Sequence, residues 1–374
     1  MGWIAIKRKY SAIRRISYKN IVNLRVLSPR NRIMIMNLNR NMSHIAQISL
    51  KSLALSSLVS IVLFSSCKND SRNFTETERR AEKLTELRDS LDAIASSARG
   101  EVGIAVIIDN SDTVTVNNED VYPLMSVFKL HQAIAVCHEF DRRGTSLDSL
   151  VYIDRSSLNA DTWSPMLKDY RTAHFHMPVS ELLRYALVKS DNNASNLMFD
   201  RLVSVAATDS FVATLIPRYQ FRLSVREADM QHDHSLSYAN HSSPLGAAIL
   251  VERLFTDSIV SSAKQGFIRD AMRECVTGID RISAPLRDKE GVKVAHKTGS
   301  GFTNERGQLI AHNDAAYVEL PDGRHYTIVV FVKDFYGDER GASAVISRIS
   351  ATTYEYINGL TDSGGHIARR SIGC

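Results

Sequence analysis

The chain has 374 residues, of which 44% are hydrophobic and 23% charged, a composition typical of a globular protein with one large or two medium domains. Its formal net charge of +5 is unevenly spread, because residues 1–67 hold eleven Lys or Arg and no acidic residue, which leaves −6 on residues 68–374. This mildly acidic body argues against a nucleic-acid partner, since binding to phosphates needs a basic surface.

The N-terminal segment is typical of an export leader. Its basic stretch leads into an apolar run over residues 45–64, and two serines then precede Cys67 and a polar segment. Small residues before a Cys resemble a bacterial lipobox, so we expect a periplasmic protein anchored to a membrane through a lipid on Cys67. An uncleaved membrane anchor and a soluble exported protein are the alternatives. A leader of ordinary length would begin at Met42, about 25 residues before that Cys.

Three further cysteines, Cys137, Cys275 and Cys374, cannot all pair with one another. Cys137 lies in an apolar helical stretch and is expected to be a small buried hydrophobe. No disulfide framework is predicted.

The predicted elements run from a helix through a hairpin and a long helical middle to further strands and a last helix. They cover residues 75–98, 102–108, 114–116, 124–273, 292–297, 309–320, 326–333 and 338–357. This order predicts an α+β fold, in which strands from both ends form one antiparallel sheet flanked by the terminal helices, with an all-α domain inserted. The predicted parts are a leader (1–67), an α/β domain (68–122 and 280–374) and the all-α domain (123–279).

The first motif that carries chemistry is Ser126-Val127-Phe128-Lys129, at the start of an apolar helix. A Ser at that place is commonly a helix cap. Lys129, three residues on, shares the helix face of Ser126, so an amine and a hydroxyl can converge. The helix N-terminus also offers backbone N–H groups to a developing oxyanion. The motif alone leaves two interpretations open, a helix cap and a serine nucleophile with an adjacent proton carrier.

The second motif, Ser190-Asp191-Asn192, lies between two predicted helices, where a turn and a cap are the simplest interpretation. As a functional group, Ser190 would relay a proton to the leaving nitrogen. Asn192 would hydrogen-bond a substrate amide, and Asp191 would brace the loop.

The third motif, Lys297-Thr298-Gly299, ends a predicted strand and continues into Ser300. The ammonium of Lys297 and the hydroxyl of Thr298 suit a carboxylate. Gly299 permits close approach, and the backbone N–H of Ser300 would complete an oxyanion hole with that of Ser126. Arg306 is either a second cation for the substrate or a surface residue.

Together the three motifs closely resemble those of the serine β-lactamase and penicillin-binding protein superfamily, over about residues 75–360. The segments 161–165 and 297–301, with a long Ω-loop-like segment, are similar to class A β-lactamases of the extended-spectrum cephalosporinase branch. The resemblance implies acylation of Ser126 by a β-lactam and hydrolysis of the acyl-enzyme, with no cofactor. We expect a monomer whose partner is a small-molecule β-lactam.

Class A enzymes use a Glu of the Ω loop to activate the deacylating water, and Glu227 is the best match to it. Most of the family has an Asn four residues later to hold that water, whereas this chain has Gln231. Asp229 is the alternative base. Whether Lys129 or Glu227 is the base for acylation stays open.

Two histidine pairs, His174 with His176 and His232 with His234, could suggest a metal. No further ligands follow at suitable spacing, so we predict no metal and interpret them as surface residues. Two other functions stay as alternatives. A D-alanyl-D-alanine carboxypeptidase would be acylated but would hydrolyse lactams poorly, and a non-catalytic antibiotic sensor would need a membrane span beyond residue 67.

Overall fold

A computed structural model describes residues 75–359 of the chain. The leader, with its Cys67 and the proposed start at Met42, lies outside the described residues, as does Cys374. The strands are β1 (Glu101–Ile108), β2 (Asp112–Val116), β3 (Tyr122–Pro123), β4 (Leu150–Asp154), β5 (His174–Pro178), β6 (Phe221–Arg222), β7 (His241–Ser242), β8 (Lys293–Ser300), β9 (Leu309–Glu319) and β10 (His325–Phe335).

The helices follow the same order. They are α1 (Glu76–Ser96), α2 (Phe128–Arg142), α3 (Pro165–Asp169), α4 (Val179–Val188), α5 (Asn192–Arg201), α6 (Val205–Val212), α7 (Glu227–His232), α8 (Pro244–Thr256), α9 (Ser262–Arg273) and α10 (Glu339–Gly359).

One antiparallel sheet combines strands from both ends of the described chain, as the sequence predicts. Its order is β2-β1-β10-β9-β8, so strands that are distant in the chain become neighbours. In the central pair, Val102 lies opposite Val332 and Ile108 opposite Tyr326. The strand β8 forms one edge of this sheet, and its outer side is therefore free to face another part of the molecule.

The two faces of the sheet enter different hydrophobic clusters, because successive side chains of a strand point to opposite faces. Along β1, Ile104 and Val106 pack with the terminal helices α1 and α10, through Leu91 and Ile346 among others. The intervening Ala105 belongs to the cluster on the other face, which is built mainly by the helical middle of the chain. The fold is thus α+β, with the terminal helices on one face of the sheet.

The helix α2 lies at the centre of the second layer. Ten consecutive residues, from Phe128 to Cys137, are buried, as is expected of a helix that neighbours surround on every side. From α8, Leu250 and Val251 join the same cluster as the sheet residues Val329 and Phe331. The nucleophile motif at the start of α2 is thereby held at the junction of helices and sheet.

The middle of the chain also contains two small sheets that the sequence did not indicate. The strands β4 and β5 pair with each other, and β3, β7 and β6 form a second set. Strands of two to five residues are too short to display an alternating pattern. The domain bounds at residues 122 and 280 stay a prediction.

The ends of the predicted elements agree with the structure to within a few residues. The helix α1 begins at a capping box, in which the backbone N–H of Glu78 donates to Thr75 Oγ1 (3.2 Å) and that of Thr75 to Glu78 Oε2 (2.9 Å). No helix within residues 75–359 is both long and apolar enough to cross a membrane.

Candidate active site

The nucleophile candidate Ser126 lies in a 3₁₀ turn, Met125–Val127, directly before α2. Met125 has a φ of 45°, a left-handed conformation that is uncommon for a bulky residue and that proteins retain mainly where a functional site requires it. The turn is held from the side, because the backbone N–H of Leu124 donates to the carbonyl of Asn240 (2.8 Å). This geometry presents the Ser126 hydroxyl to the cleft.

Lys129 is a fully buried ammonium that connects all the catalytic candidates of the helical layer. Its Nζ donates to Ser126 Oγ (2.9 Å), to the carbonyl of Ser190 (2.9 Å) and to Asn192 Oδ1 (2.6 Å), and it lies 2.9 Å from Glu227 Oε1. An ammonium has only three N–H groups for these four acceptors. Lys129 can therefore release the Ser126 oxygen without leaving a donor unsatisfied.

Glu227, the first residue of α7, brings a buried carboxylate to the nucleophile. The hydroxyl of Ser126 donates to Glu227 Oε1 at 2.9 Å. The helix is fixed to α5, because the backbone N–H of Ala228 donates to Asn196 Oδ1 (3.1 Å). Gln231, one helical turn after Glu227, also lines the cleft. The structure therefore places the predicted base and the predicted water-holding amide together.

The alternative base, Asp229, is engaged elsewhere. Its carboxylate accepts hydrogen bonds from the backbone and the guanidinium of Arg226 (2.8 and 3.0 Å), and these bonds lower its pKa. Arg226 also binds Asp200 (2.6 Å). Asp229 therefore stabilises the beginning of α7, and the structure favours Glu227 as the carboxylate at the nucleophile.

The second motif lines the same cleft through Ser190 and Asn192. Ser190 has a φ of 56°, and its neighbour Asp191 is fully buried. The Asp191 carboxylate accepts hydrogen bonds from Ser164 Oγ (2.9 Å) and from the backbone N–H groups of Met166 (2.8 Å) and Ala194 (2.9 Å). Burial raises its pKa, although these donors oppose the shift. Asp191 braces the loop, as predicted.

The third motif lies on the edge strand β8. Lys297 is fully buried, and its Nζ donates to Ser190 Oγ (3.0 Å) and to the carbonyl of Thr298 (2.8 Å). Burial lowers the pKa of Lys297 to about 7, and a bound anion would favour its charged form. The second and third motifs are thus joined by a hydrogen bond between Lys297 and Ser190.

Gly299 allows β8 to approach the nucleophile turn. A Cβ atom at this position would lie 2.6 Å from the carbonyl oxygen of Leu124, so any larger residue would push the strand away. Ser300 lies opposite His312, while the ladder hydrogen bond is made by the next residue, from Gly301 N to Ala311 O (2.7 Å). Since ladder bonds alternate, the N–H of Ser300 faces the open edge of the strand.

The structure does not bring Arg306 to this cleft. Arg306 lines a neighbouring cavity of about 630 Å³ together with His232 and His234.

The side chain of Asn192 contacts Lys129 and also donates to Thr162 Oγ1 (2.8 Å). The remaining predicted residues lie around one cleft of about 550 Å³. Its lining includes Met125, Ser126, Asp161, Thr162, Trp163, Ser190, Asn192, Glu227, Gln231, Thr277, Arg281, Thr298, Ser300, Gly301, Phe302 and Glu339.

Arg281 is a cation at the cleft that the sequence does not predict. Its guanidinium is buried and donates to Ser300 Oγ (2.6 Å) and to the carbonyls of Asn313 (2.6 Å) and Gly299 (3.2 Å). In the sequence it is one Arg in a polar turn, with nothing to separate it from a surface residue. Only the packing of that turn against β8 reveals it.

The histidine pairs have structural contacts. His174 and His176 lie on β5, where both rings contact Tyr152, and His234 stacks on Phe302 with ring centroids 3.7 Å apart. Within residues 75–359, no group of three or more His, Cys, Asp or Glu is arranged to hold a metal ion. Cys137 and Cys275 are both free and buried, which for Cys137 agrees with the sequence prediction.

Comparison with known proteins gives a consistent picture. Residues 86–357 match the family described as Beta-lactamase enzyme family. A β-lactamase of Phocaeicola vulgatus is 56% identical over 271 residues, which are 72% of this chain and 84% of that protein. The extended-spectrum β-lactamase PER-1 of Pseudomonas aeruginosa is 31% identical over 271 residues, 72% of this chain and 87% of that protein.

A solved structure gives the same result for the fold. A class A β-lactamase from Bacteroides cellulosilyticus DSM 14838 superposes with a TM-score of 0.70 at 29% identity, covering 74% of this chain and 99% of that one. The fold is that of the class A β-lactamases, and the chain belongs to the β-lactamase enzyme family. Its enzymatic function is that of a β-lactamase, a hydrolase, and the resemblance drawn from the three motifs is confirmed at this level.

Proposed function

We propose that this cleft opens penicillins and cephalosporins through a serine acyl-enzyme and so confers resistance to them. The observation that carries the assignment of roles is the position of the Ser126 hydroxyl. It lies 2.9 Å from both Lys129 Nζ and Glu227 Oε1, and Ser190, which lines the same cleft, accepts a hydrogen bond from Lys297. A nucleophile within hydrogen-bond reach of a base, which is itself held by a third group, is the arrangement that activates a hydroxyl.

In acylation, Ser126 Oγ attacks the lactam carbonyl carbon and its proton passes to the Lys129–Glu227 pair. Glu227 can receive the proton directly. Lys129 can receive it only as a neutral amine, after its own proton has passed to Glu227 Oε1, which lies 2.9 Å away. The developing oxyanion accepts hydrogen bonds from the backbone N–H groups of Ser126 and Ser300. Ser190 then donates its proton to the lactam nitrogen as the ring C–N bond breaks, and it regains a proton through Lys297 or Lys129.

In deacylation, Glu227 takes a proton from a water molecule, and the resulting hydroxide attacks the Ser126 ester. Gln231, four residues on and in the same cleft, is suited to orient that water with its amide. The ester C–O bond then breaks and the proton returns to Ser126 Oγ. Buried Glu227 beside Lys129 thus accounts for hydrolysis of the acyl-enzyme, a step that distinguishes a lactamase from the peptidase alternative.

The carboxylate of the substrate would bind on the β8 side. Lys297, Thr298 and Ser300 provide an ammonium and two hydroxyls there, and Arg281 donates directly to Ser300 Oγ. Arg281 therefore takes the place that the sequence analysis considered for Arg306. Asn192, held by Lys129 and Thr162, would meet the side-chain amide of the substrate with its remaining N–H.

The test is substitution of the proposed deacylating base. The Glu227→Ala variant should still be acylated by a cephalosporin but should hydrolyse the acyl-enzyme slowly. Intact-mass spectrometry should therefore show a covalent adduct on Ser126 that persists at least about 10²-fold longer than in the wild type. Asp229→Asn is the matched control, because Asp229 is held by Arg226. A Glu227→Ala protein with wild-type turnover, or an adduct in the control alone, would reject the assignment.

Export to the periplasm with a lipid anchor on Cys67 belongs to the same proposal. It is supported by the basic stretch, the apolar run and the two serines before Cys67. Labelling of cells with a radioactive fatty acid should mark the wild-type protein and leave Cys67→Ala unlabelled. Label in both proteins would exclude lipidation at Cys67.

A further inference from the structure

Three ionisable side chains that the proposed mechanism does not use are buried, one on β8, one on β9 and one at Cys275. His296 directly precedes Lys297, and its Nδ1 lies 3.1 Å from both carboxylate oxygens of Asp314. Asp314 also accepts a hydrogen bond from the backbone N–H of Ile282 (3.1 Å). His296 and Cys275 also lie close enough for each to shift the pKa of the other. The three groups therefore form a connected, buried Asp–His–Cys cluster.

A chain of hydroxyls connects this cluster to the cleft. Cys275 Sγ lies 3.3 Å from Thr277 Oγ1, and Thr277 Oγ1 lies 2.6 Å from Thr298 Oγ1. Both threonines line the cleft in which we place the substrate. Thr298 is one of the groups assigned to the substrate carboxylate, so the buried cluster is hydrogen-bonded, through Thr277, to the anion-binding part of the site.

The direction of this chain depends on the proton of Cys275, because each hydroxyl has only one O–H to donate. When Cys275 is a thiol, its S–H can donate to Thr277 Oγ1 (3.3 Å), which is nearer than its other acceptor, the carbonyl of Thr277 (3.7 Å). Thr277 can then donate to Thr298, and Thr298 to a substrate carboxylate. When Cys275 is a thiolate, it can only accept. Thr277 then donates to sulfur, Thr298 donates to Thr277, and Thr298 turns a lone pair toward the anion.

We propose that Cys275, held by His296 and Asp314, is a positioning residue that sets the donor direction of the Thr298 hydroxyl through Thr277. It thereby controls how tightly the cleft binds an anionic substrate. The proposal rests on the proposed function, since it assigns Thr298 to the carboxylate of a β-lactam. Cys275 itself does not touch the substrate.

The charges around Cys275 favour a change of protonation near neutral pH. Burial alone would raise the pKa of the thiol, but His296, together with Lys297, lowers it to about 7. Burial disfavours the charged His296 ring, yet Asp314 and Cys275 raise its pKa well above its usual value. Arg281 also faces this region. In contrast, burial raises the pKa of Cys137 to about 12, so that thiol stays protonated.

The sign of the effect follows from the direction of the chain. As pH rises through about 7, Cys275 loses its proton, Thr298 stops donating to the substrate and KM rises. Loss of one hydrogen bond to a charged acceptor corresponds to about a tenfold increase in KM. Lys297, whose pKa is also about 7, loses its charge over the same pH range. This loss raises KM further and does not depend on the hydroxyl chain.

The experiment measures KM and kcat for a carboxylate-bearing chromogenic cephalosporin with the full chain, from about pH 6 to about pH 8.5. It compares the wild type with Cys275→Ser, which keeps a hydroxyl but does not titrate, and with Thr277→Val, which keeps all charges and breaks the chain. In both variants the rise in KM should be about tenfold smaller than in the wild type. Cys137→Ala is the matched control and should keep the wild-type profile.

Three results would overturn the relay. A rise of equal size in all proteins would mean that Lys297 alone sets the profile. If KM of Cys275→Ser rises as much as in the wild type but at a lower pH, the only role of the thiolate would be to stabilise the charged form of Lys297. A change in KM by a constant factor at every pH would indicate a purely structural role. In contrast, absence of hydrolysis by the wild type at any pH would reject the proposed function.

Discussion

The two walls of the cleft are built in different ways. The helical wall collects Ser126, Lys129, Asn192 and Glu227 from three helices and their preceding turns, and one ammonium connects them. The strand wall presents consecutive residues of β8, from Lys297 to Ser300, with Arg281 behind them. In the proposed mechanism, the helical wall takes the proton of the nucleophile, and the strand wall binds the substrate carboxylate.

This difference shows how each wall is positioned. Lys129 meets Ser190 and Asn192, which are more than sixty residues away in the chain, and Ser126 meets Glu227 across 101 residues. Those contacts depend on the packing of α2, α5 and α7. The strand wall needs only an extended edge strand, since alternation along β8 decides which groups face outward. The helical wall is therefore expected to be the more sensitive to mutation.

The largest expected effect concerns the nucleophile of the helical wall. Ser126→Ala removes the atom that forms the acyl-enzyme, and hydrolysis of a cephalosporin should fall by about 10⁴-fold or more. Initial rates and intact-mass spectrometry measure this loss, and no covalent adduct should form. The melting temperature serves as the control for folding. Turnover within tenfold of the wild type would show that another group attacks the lactam.

A smaller effect concerns the brace of the helical wall. Asp191→Ala leaves the buried donors of Ser164, Met166 and Ala194 without their acceptor, so the free energy of unfolding should fall by about 3 kcal/mol. Urea denaturation measures the change. Asp257→Ala, which breaks an exposed ion pair with Arg253, should cost less than about 1 kcal/mol. Equal losses in the two variants would refute the bracing role.

The smallest expected effect separates the two arginines considered for the strand wall. Arg281→Ala should raise the KM for a carboxylate-bearing cephalosporin about tenfold and change kcat less, because a buried cation and its contact with Ser300 are lost. Arg306→Ala should stay within about twofold of the wild type. Steady-state kinetics of both variants measures these changes. A larger increase in KM for Arg306→Ala than for Arg281→Ala would show that Arg306 binds the substrate carboxylate.

Much of the fold could be predicted from local patterns. The hairpin of β1 and β2, the three late strands and the terminal helices all show clear periodicity or turn residues, and the structure has them within a few residues of the predicted bounds. The short strands β3, β6 and β7, each of two residues, carry no such signal. Their pairing depends on backbone groups that only the folded chain brings together.

The sequence by itself predicted the serine–lysine pair, the second motif and the β8 motif, because each depends on residue types at short, fixed spacing. The prediction of Glu227 came from the resemblance to class A β-lactamases. Tertiary structure decided that Arg281 and not Arg306 reaches the cleft, and that Asp229 is held by Arg226. It also decided that Cys275 is linked to Thr298 through Thr277. The physical reason is that charge and hydrogen bonding act over a few ångströms in space, whatever the separation along the chain.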